Sequence, residues 1–215
     1  MSATQVLAGN GGEVVSVLIV DDHPALRAGL EGLLAHAAGF SFAGALASER
    51  DLAATVARDR PDVVLLDYAL EHGDGLSACF RLKQLAEPPG VVLYSAYVDR
   101  LFAVPATLAQ ADGIVSKTAP VDELLRVVHD VARGERHMPP LDHDAMDAAL
   151  ARLAADDLAV AGMLLARVEV ASIASTLGLS DRAVRSRSLR IIGELQAPDR
   201  IGQDEAIGEL QRVFG

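Results

Sequence analysis

Cysteine is all but missing from this chain. The single copy, Cys79, excludes an intramolecular disulfide, and its neighbours Leu76, Phe80 and Leu82 make a small buried hydrophobe the ordinary reading. A long hydrophobic run is missing too. Asp, Glu, Arg or Lys interrupts every apolar stretch well short of the roughly 20 residues that a membrane-spanning helix needs. The start of the chain has no charged n-region followed by an apolar core and a cleavage site. These absences predict a cytoplasmic protein with no membrane association. Basic charge is also scarce: 19 Lys plus Arg stand against 30 Asp plus Glu, for a net charge of −11. Coating nucleic acid by bulk electrostatics requires many cations to displace phosphate counterions, so any DNA contact must be local.

Apolar residues, by contrast, are plentiful. With 215 residues, 51% hydrophobic and 23% charged, the chain can bury two ordinary cores. Residues 1–13 have no helical or alternating period and contain Gly9, Gly11 and Gly12, which reads as a flexible tail. From Val14 onward, short aliphatic runs alternate with helix-period segments. Strands are predicted at 14–20, 40–44, 62–66, 91–95 and 113–116, with helices at 24–37, 49–59, 75–86, 99–110 and 121–133. Five β/α units in strict alternation imply a parallel sheet covered on both faces, because parallel strands need a crossover that normally contains a helix. After Gly134 the pattern stops. The segment 135–145, with Pro139 and Pro140 among polar residues, reads as a linker between a first domain at 14–134 and a second at 146–215. Beyond it the candidates are all helical, at 144–152, 156–166, 170–177, 181–195 and 203–213.

In a parallel sheet the loops at the carboxyl ends of the strands converge on one edge, where ligands bind. Four of the five predicted strands reach that edge in a polar group: Asp21 and Asp22, then Asp67, then Ser95, then Lys117. An isolated Asp or Ser in such a loop is commonly a turn or helix cap. The combination has a different chemistry. Converging carboxylates repel unless a cation neutralises them, and hard oxygen ligands at an open site favour Mg2+. One carboxylate beside that ion can act as nucleophile toward a phosphoryl group, with the ammonium and the hydroxyl stabilising the transferring oxygens.

The segments VLIVDDHPALRAGLEGLL, PDVVLLDYALEHGDGL, VVLYSA and ADGIVSKTAPVDELLRVVHDVARGE resemble the receiver domains of response regulators of the NarL/FixJ type, over about residues 15–137. The resemblance implies a flavodoxin-like α/β domain of five parallel strands, doubly wound, and a two-component system. Asp67 would accept a phosphoryl group from a histidine kinase. Asp22 and Asp67 would bind Mg2+ directly, Asp21 through water, and the backbone carbonyl of Ala69 would complete the protein ligands. Ser95 and Lys117 would contact the phosphoryl oxygens. Three positions depart from the family pattern. The loop EHGDG stands in place of a proline-containing one, Ile114 replaces an aromatic residue three before the lysine, and Pro105 falls inside the predicted fourth helix. Tyr97 is a candidate to compensate for Ile114.

The segment VASIASTLGLSDRAVRSRSLRIIGEL spells helix, tight turn, helix. Gly178 can leave the first helix at positive φ, and Ser180 can cap the second. Val184, Ser188, Ile191 and Leu195 share one face of that second helix, leaving Arg182, Arg185, Ser186, Leu189 and Arg190 on or near the other. Together with Ser180 these form the candidate DNA-reading set, the alternative being a solvated arginine-rich face. The segment resembles the LuxR-type helix-turn-helix over residues 153–213, and also the DNA-reading region of sigma factors. The chain is thus read as a phosphorylation-controlled transcription regulator, not an enzyme, that binds double-stranded DNA as a homodimer when phosphorylated. Ile207, Leu210 and Phe214 on the last helix offer a dimer surface. The alternative is a receiver whose smaller, all-α domain binds protein, RNA polymerase or an anti-sigma factor, and not DNA directly.

Overall fold

The computed structural model describes residues 14–71, 73–96 and 102–196. The predicted tail at 1–13, Tyr97, and the predicted last helix with Ile207, Leu210 and Phe214 lie outside the described residues. The chain divides into two units, residues 1–140 and residues 141–215.

The first unit alternates strand and helix: β1 (Val15–Val20), α1 (Pro24–His36), β2 (Phe40–Leu46), α2 (Leu52–Asp59), β3 (Val63–Asp67), α3 (Gly75–Leu82), β4 (Gly90–Ser95), α4 (Ala103–Leu108), β5 (Gly113–Ser116) and α5 (Val121–Ala132). The five strands form one parallel sheet in the order β2-β1-β3-β4-β5. The aliphatic runs are unbroken because both faces are covered. Val17, Ile19, Val63, Leu65, Val92, Tyr94 and Val115 point to one face and pack with Leu30 and Leu34 of α1 and Leu124, Val127, Val128 and Val131 of α5. Residues of the other parity, among them Leu18, Leu66 and Leu93, are as deeply buried and point toward the opposite face.

Helix α2 starts at Leu52, three residues later than expected, β2 runs two residues further, to Leu46, and larger differences from the sequence expectation lie elsewhere. Expected to reach residue 86, α3 ends at Leu82, where Gln84 N–H to Arg81 O and Leu85 N–H to Leu82 O tighten the exit ahead of Pro88 and Pro89. Among the described residues α4 is a six-residue helix with Pro105 third. There its missing N–H is one that a first turn would leave unbonded anyway. Residues 135–137, expected to be linker, are instead fastened to the first unit. His137 bridges to Gly113 in parallel, its N–H bonding Asp112 O at 2.9 Å and its carbonyl accepting from Ile114 N at 3.0 Å. Its Nε2 lies 2.8 Å from Asp130 Oδ2 on α5.

The second unit holds α6 (His143–Leu150), α7 (Ala155–Leu165), α8 (Val170–Leu177) and α9 (Asp181–Gln196). Helix α6 starts at His143, one residue before the expected helix and with its first three residues inside the expected linker, because Asp142 caps it, accepting from Ala145 N. Val160, Leu164, Ile173, Val184, Ile191 and Ile192 form the apolar interior. Ser188 sits among them fully buried, its hydroxyl satisfied by donating to Val184 O at 2.8 Å, the back-bond open to Ser in a helix. Gly178 adopts φ +65 at the end of α8, and the Ser180 hydroxyl accepts from Ala183 N at 3.2 Å to start α9. No helix among the described residues is long and apolar enough to cross a membrane.

Candidate functional site

The carboxyl ends of β1, β3, β4 and β5 deliver the predicted residues to one edge of the sheet. Asp21 follows β1, Asp67 and Ser95 close β3 and β4, and Lys117 follows β5. All three of Asp21, Asp67 and Ser95 are buried. Lys117 is drawn in by its own backbone, whose N–H bonds Ser95 O at 2.7 Å. Its Nζ stands 2.8 Å from Asp21 Oδ2 and 2.8 Å from Asp67 Oδ2. Asp67 Oδ1 accepts from Ala69 N at 3.1 Å, and Asp21 Oδ1 from His23 N at 2.7 Å. Ala69 itself is exposed. Asp22 Oδ2 accepts from Glu71 N, while the imidazole of His23 lies 2.7 Å from Asp22 Oδ1.

One ammonium is shared by two buried carboxylates with a third at hand, and the electrostatics follow. Burial pushes the carboxyl of Asp67 up to about 6, against the pull of Lys117 and with a further upward push from Asp21. Burial also raises Asp21, but the bonds from Lys117 and His23 outweigh it and hold this group below the usual carboxylate range. Burial would lower Lys117, and the two aspartates more than reverse that. Asp22 Oδ1 and Asp67 Oδ2 are buried without a well-aligned hydrogen bond, although the His23 ring lies beside the first and the Lys117 ammonium beside the second. Donor atoms of Asp21, Asp22, His23 and Asp67 all lie within 4.8 Å of one another. The three carboxylates of this group, two of them with an oxygen lacking an aligned hydrogen bond, are the hard oxygen donors that fit a divalent cation such as Mg2+.

The loop after β3 has no proline, yet it is held from two sides. Asp22 takes the N–H of Glu71. Glu49, from the segment between β2 and α2, takes that of Asp74 at 3.4 Å and pairs with Arg81 at 3.2 Å. Gly75 is obligatory where this loop enters α3: a Cβ there would stand 2.3 Å from Asp67 O and 2.8 Å from two atoms of Tyr68. Glu49 is a residue that sequence reasoning missed, because its partners are some 25 to 32 positions away. Tyr94 was missed as well. It is nearly buried, and Lys117 Nζ lies 5.9 Å from the centre of its ring. Strand alternation, which puts it on the face of Val92, was the signal available. Burial first, then Asp21, raises its phenol, with Lys117 opposing. Ile114 pairs in register with Leu93, whereas Tyr94 pairs with Val115, so the two lie on opposite faces.

On the second unit, Ser180, Arg182, Arg185 and Ser186 are exposed along the amino-terminal half of α9, and Leu189 is half-buried. Arg190 does not join this open set. Its guanidinium grips Asp157 of α7 with both ends, at 2.7 and 2.8 Å, and reaches Glu194 at 3.0 Å. Those partners, Asp157 foremost, raise its pKa. Arg187 adds a contact of 3.6 Å to the same carboxylate and donates to Asp156 O at 2.7 Å. Asp157 is 1% exposed, and a carboxylate so buried needs paired, hydrogen-bonded cations. The charge on the carboxyl-terminal half of α9 is therefore committed within its own unit.

Residues 17–129 match the response regulator receiver domain family. Over 212 residues the chain is 29% identical to the DNA-binding transcriptional activator DevR/DosR of Mycobacterium tuberculosis, covering 93% of this chain and 96% of that one. It is 26% identical over 192 residues to the response regulator GacA of Pseudomonas aeruginosa, covering 85% and 90%. Among solved structures it is similar to the signal receiver domain of the NarL response regulator of M. tuberculosis. That likeness has a TM-score of 0.54 and 27% identity, covering 58% of this chain and all of that one.

Proposed function

The chain belongs to the response regulator receiver family, and from that premise we propose that it is a phosphorylation-controlled transcription regulator of a two-component system, with no enzymatic role beyond its own phosphotransfer. The observation that carries this reading is Asp67, a buried carboxylate at a strand end, flanked by Asp21 and paired with Lys117 through Oδ2, an oxygen that lacks an aligned hydrogen bond.

Asp67 is the phosphoacceptor. With its carboxyl near 6 it is mostly ionised at neutral pH, yet it is poorly solvated and so a better nucleophile than a surface aspartate. One oxygen attacks the phosphorus of a phosphohistidine on the partner kinase. An O–P bond forms, the P–N bond breaks, and the departing imidazole takes a proton from solvent. Asp21, Asp22 and Asp67, with the carbonyl of Ala69, would hold Mg2+, which when bound neutralises the carboxylates and withdraws charge from the phosphoryl oxygens. Lys117 and Ser95 contact those oxygens, Lys117 turning from Asp67 to the new group. The loop held by Asp22 and Glu49 keeps the acceptor oriented.

The second unit carries the output. Helix α9 presents Ser180, Arg182, Arg185, Ser186 and Leu189 to the major groove of double-stranded DNA, where arginine can bridge guanine N7 and O6. Arg190 serves this surface indirectly, through Asp157. Residues 135–215 hold nine arginines and thirteen acidic residues, a net charge of −4. A single copy thus has little long-range attraction for DNA, and a phosphorylation-driven homodimer on an inverted repeat would supply what one copy lacks. The protein works in the cytoplasm, where the kinase's histidine domain and the DNA are both accessible.

The test is chemical. A small phosphoryl donor such as acetyl phosphate, with Mg2+, should label Asp67, and Asp67→Asn should abolish the label by mass spectrometry. Labelling that survives in the variant would remove Asp67 from this role. A phosphorylated protein that binds no DNA across a genomic library would instead favour a protein-binding output domain.

A further inference from the structure

We propose that Tyr94 is a positioning residue for phosphotransfer, its ring face forming the wall that holds the Lys117 ammonium between Asp21 and Asp67. This rests on the reading of Asp67 as phosphoacceptor. The register of the sheet puts the ring where it is needed. Tyr94 pairs with Asp67 on one side and with Val115 on the other, and paired residues of a parallel sheet project to the same face. Asp67, Tyr94 and the chain leading to Lys117 therefore share the face that also holds α1 and α5. Tyr94 is 7% exposed, packed in the core cluster below the site, so its ring has little freedom to move away.

Lys117 needs such a wall. An ammonium has three donors on a flexible four-carbon stem, and here it makes two contacts of 2.8 Å, to Asp21 and to Asp67. The ring centre, 5.9 Å away, is within the range at which the negative face of an aromatic attracts a cation. An aliphatic residue in its place would fill the space without attracting the charge. When Asp67 becomes esterified, the ammonium exchanges its contact with the carboxylate for one with the phosphoryl oxygens, and the attraction of Tyr94 keeps it facing the site through that exchange. Ile114 cannot take this part, because it has no ring and lies on the other face.

The experiment uses the full chain in five forms besides wild type: Tyr94→Phe, Tyr94→Leu, and mono-, di- and trifluorophenylalanine at position 94. Two quantities are read. One is the rate of Asp67 modification by acetyl phosphate with Mg2+. The other is the chemical shift of the Lys117 side-chain protons in the unmodified protein, which a nearby ring face moves upfield. Tyr94→Phe should keep both. Tyr94→Leu should lose the upfield shift and slow the modification by about two- to fivefold, the usual size of a cation–π contact. Fluorination withdraws electrons from the ring at nearly constant volume, so the logarithm of the rate should fall stepwise with each fluorine, a trend that mere packing would not produce. A rate indifferent to fluorine, or a wild-type Lys117 with no ring-induced shift, overturns the proposal. If wild type itself takes no label, the phosphoacceptor reading fails, while the proton shifts still decide whether Tyr94 positions the lysine.

Discussion

Asp67 and Asp157 are buried alike, at 2% and 1% exposure, and the two units treat them in opposite ways. In the helical unit Asp157 faces two arginines and is bonded through both oxygens. In the α/β unit Asp67 shares a single lysine with Asp21, lies beside a third carboxylate, and keeps one oxygen without an aligned donor. A satisfied buried charge stiffens a structure, whereas an under-satisfied one retains an appetite for a cation and a reactive electron pair. Asp157 is thus held as architecture, and Asp67 is left in the state that the proposed phosphotransfer requires.

Replacing each aspartate by asparagine is the sharpest way to break this contrast. Asp157→Asn leaves two guanidinium groups facing a neutral amide and should destabilise the helical unit by about 3 kcal/mol, read by denaturant unfolding. Asp67→Asn removes a poorly compensated charge and should leave stability unchanged or slightly improved. Equal losses in the two variants would mean that the two sites are built alike after all.

A somewhat smaller effect is expected on DNA. Arg185→Ala should weaken operator binding by about 1 to 3 kcal/mol and relax the preference at one position, while Arg190→Ala should leave base preference intact. With only Arg182 and Arg185 open on α9, a dimer brings four such cations, and log K against log salt should have a slope of about −4. A slope near −7, or an altered base preference in Arg190→Ala, would show that the pairs with Asp157 open on DNA.

The last effect is a pH slope. Without a divalent cation, Asp67 titrates near 6 in the folded protein and near the ordinary carboxylate value when unfolded, so the folded state binds more protons in between. Its contribution to stability is therefore present at low pH and lost as pH rises through about 4 to 6. Asp67→Asn should lack this loss, so the stability of wild type relative to the variant should drop between about pH 4.5 and pH 7 in the presence of a chelator. A difference that stays flat over that range would contradict the raised pKa.

The sheet was legible because its strands are covered on both faces and so appear as uninterrupted aliphatic runs. The buried face of α9, Val184, Ser188, Ile191 and Leu195, followed equally directly from helical period. Pairings across the fold were not legible. Nothing within several residues of Arg190 marks it as the partner of Asp157, 33 positions earlier, so local periodicity assigned it to the open face. Glu49 escaped for the same reason. Tyr94 needed the register as well as the alternation, since only the alignment of β4 with β3 and β5 puts its ring beside Lys117. The site residues themselves were readable because each lies at a strand end, where topology and sequence coincide.

The bridge between His137 and Gly113 has a practical corollary for anyone who wishes to graft a different output onto this receiver. Strand β5 is last in the sheet order, and residues 135–137 occupy its outer hydrogen-bonding groups. A fragment ending at Gly134 would bare the N–H of Ile114 and the carbonyl of Asp112, an open edge that can recruit another copy. Such a fragment should self-associate in sedimentation experiments at concentrations where one ending at Pro140 stays monomeric. The natural splice point for chimeras is therefore after the two prolines, since a cut where the helical period of α5 stops removes the strip of backbone that seals the sheet.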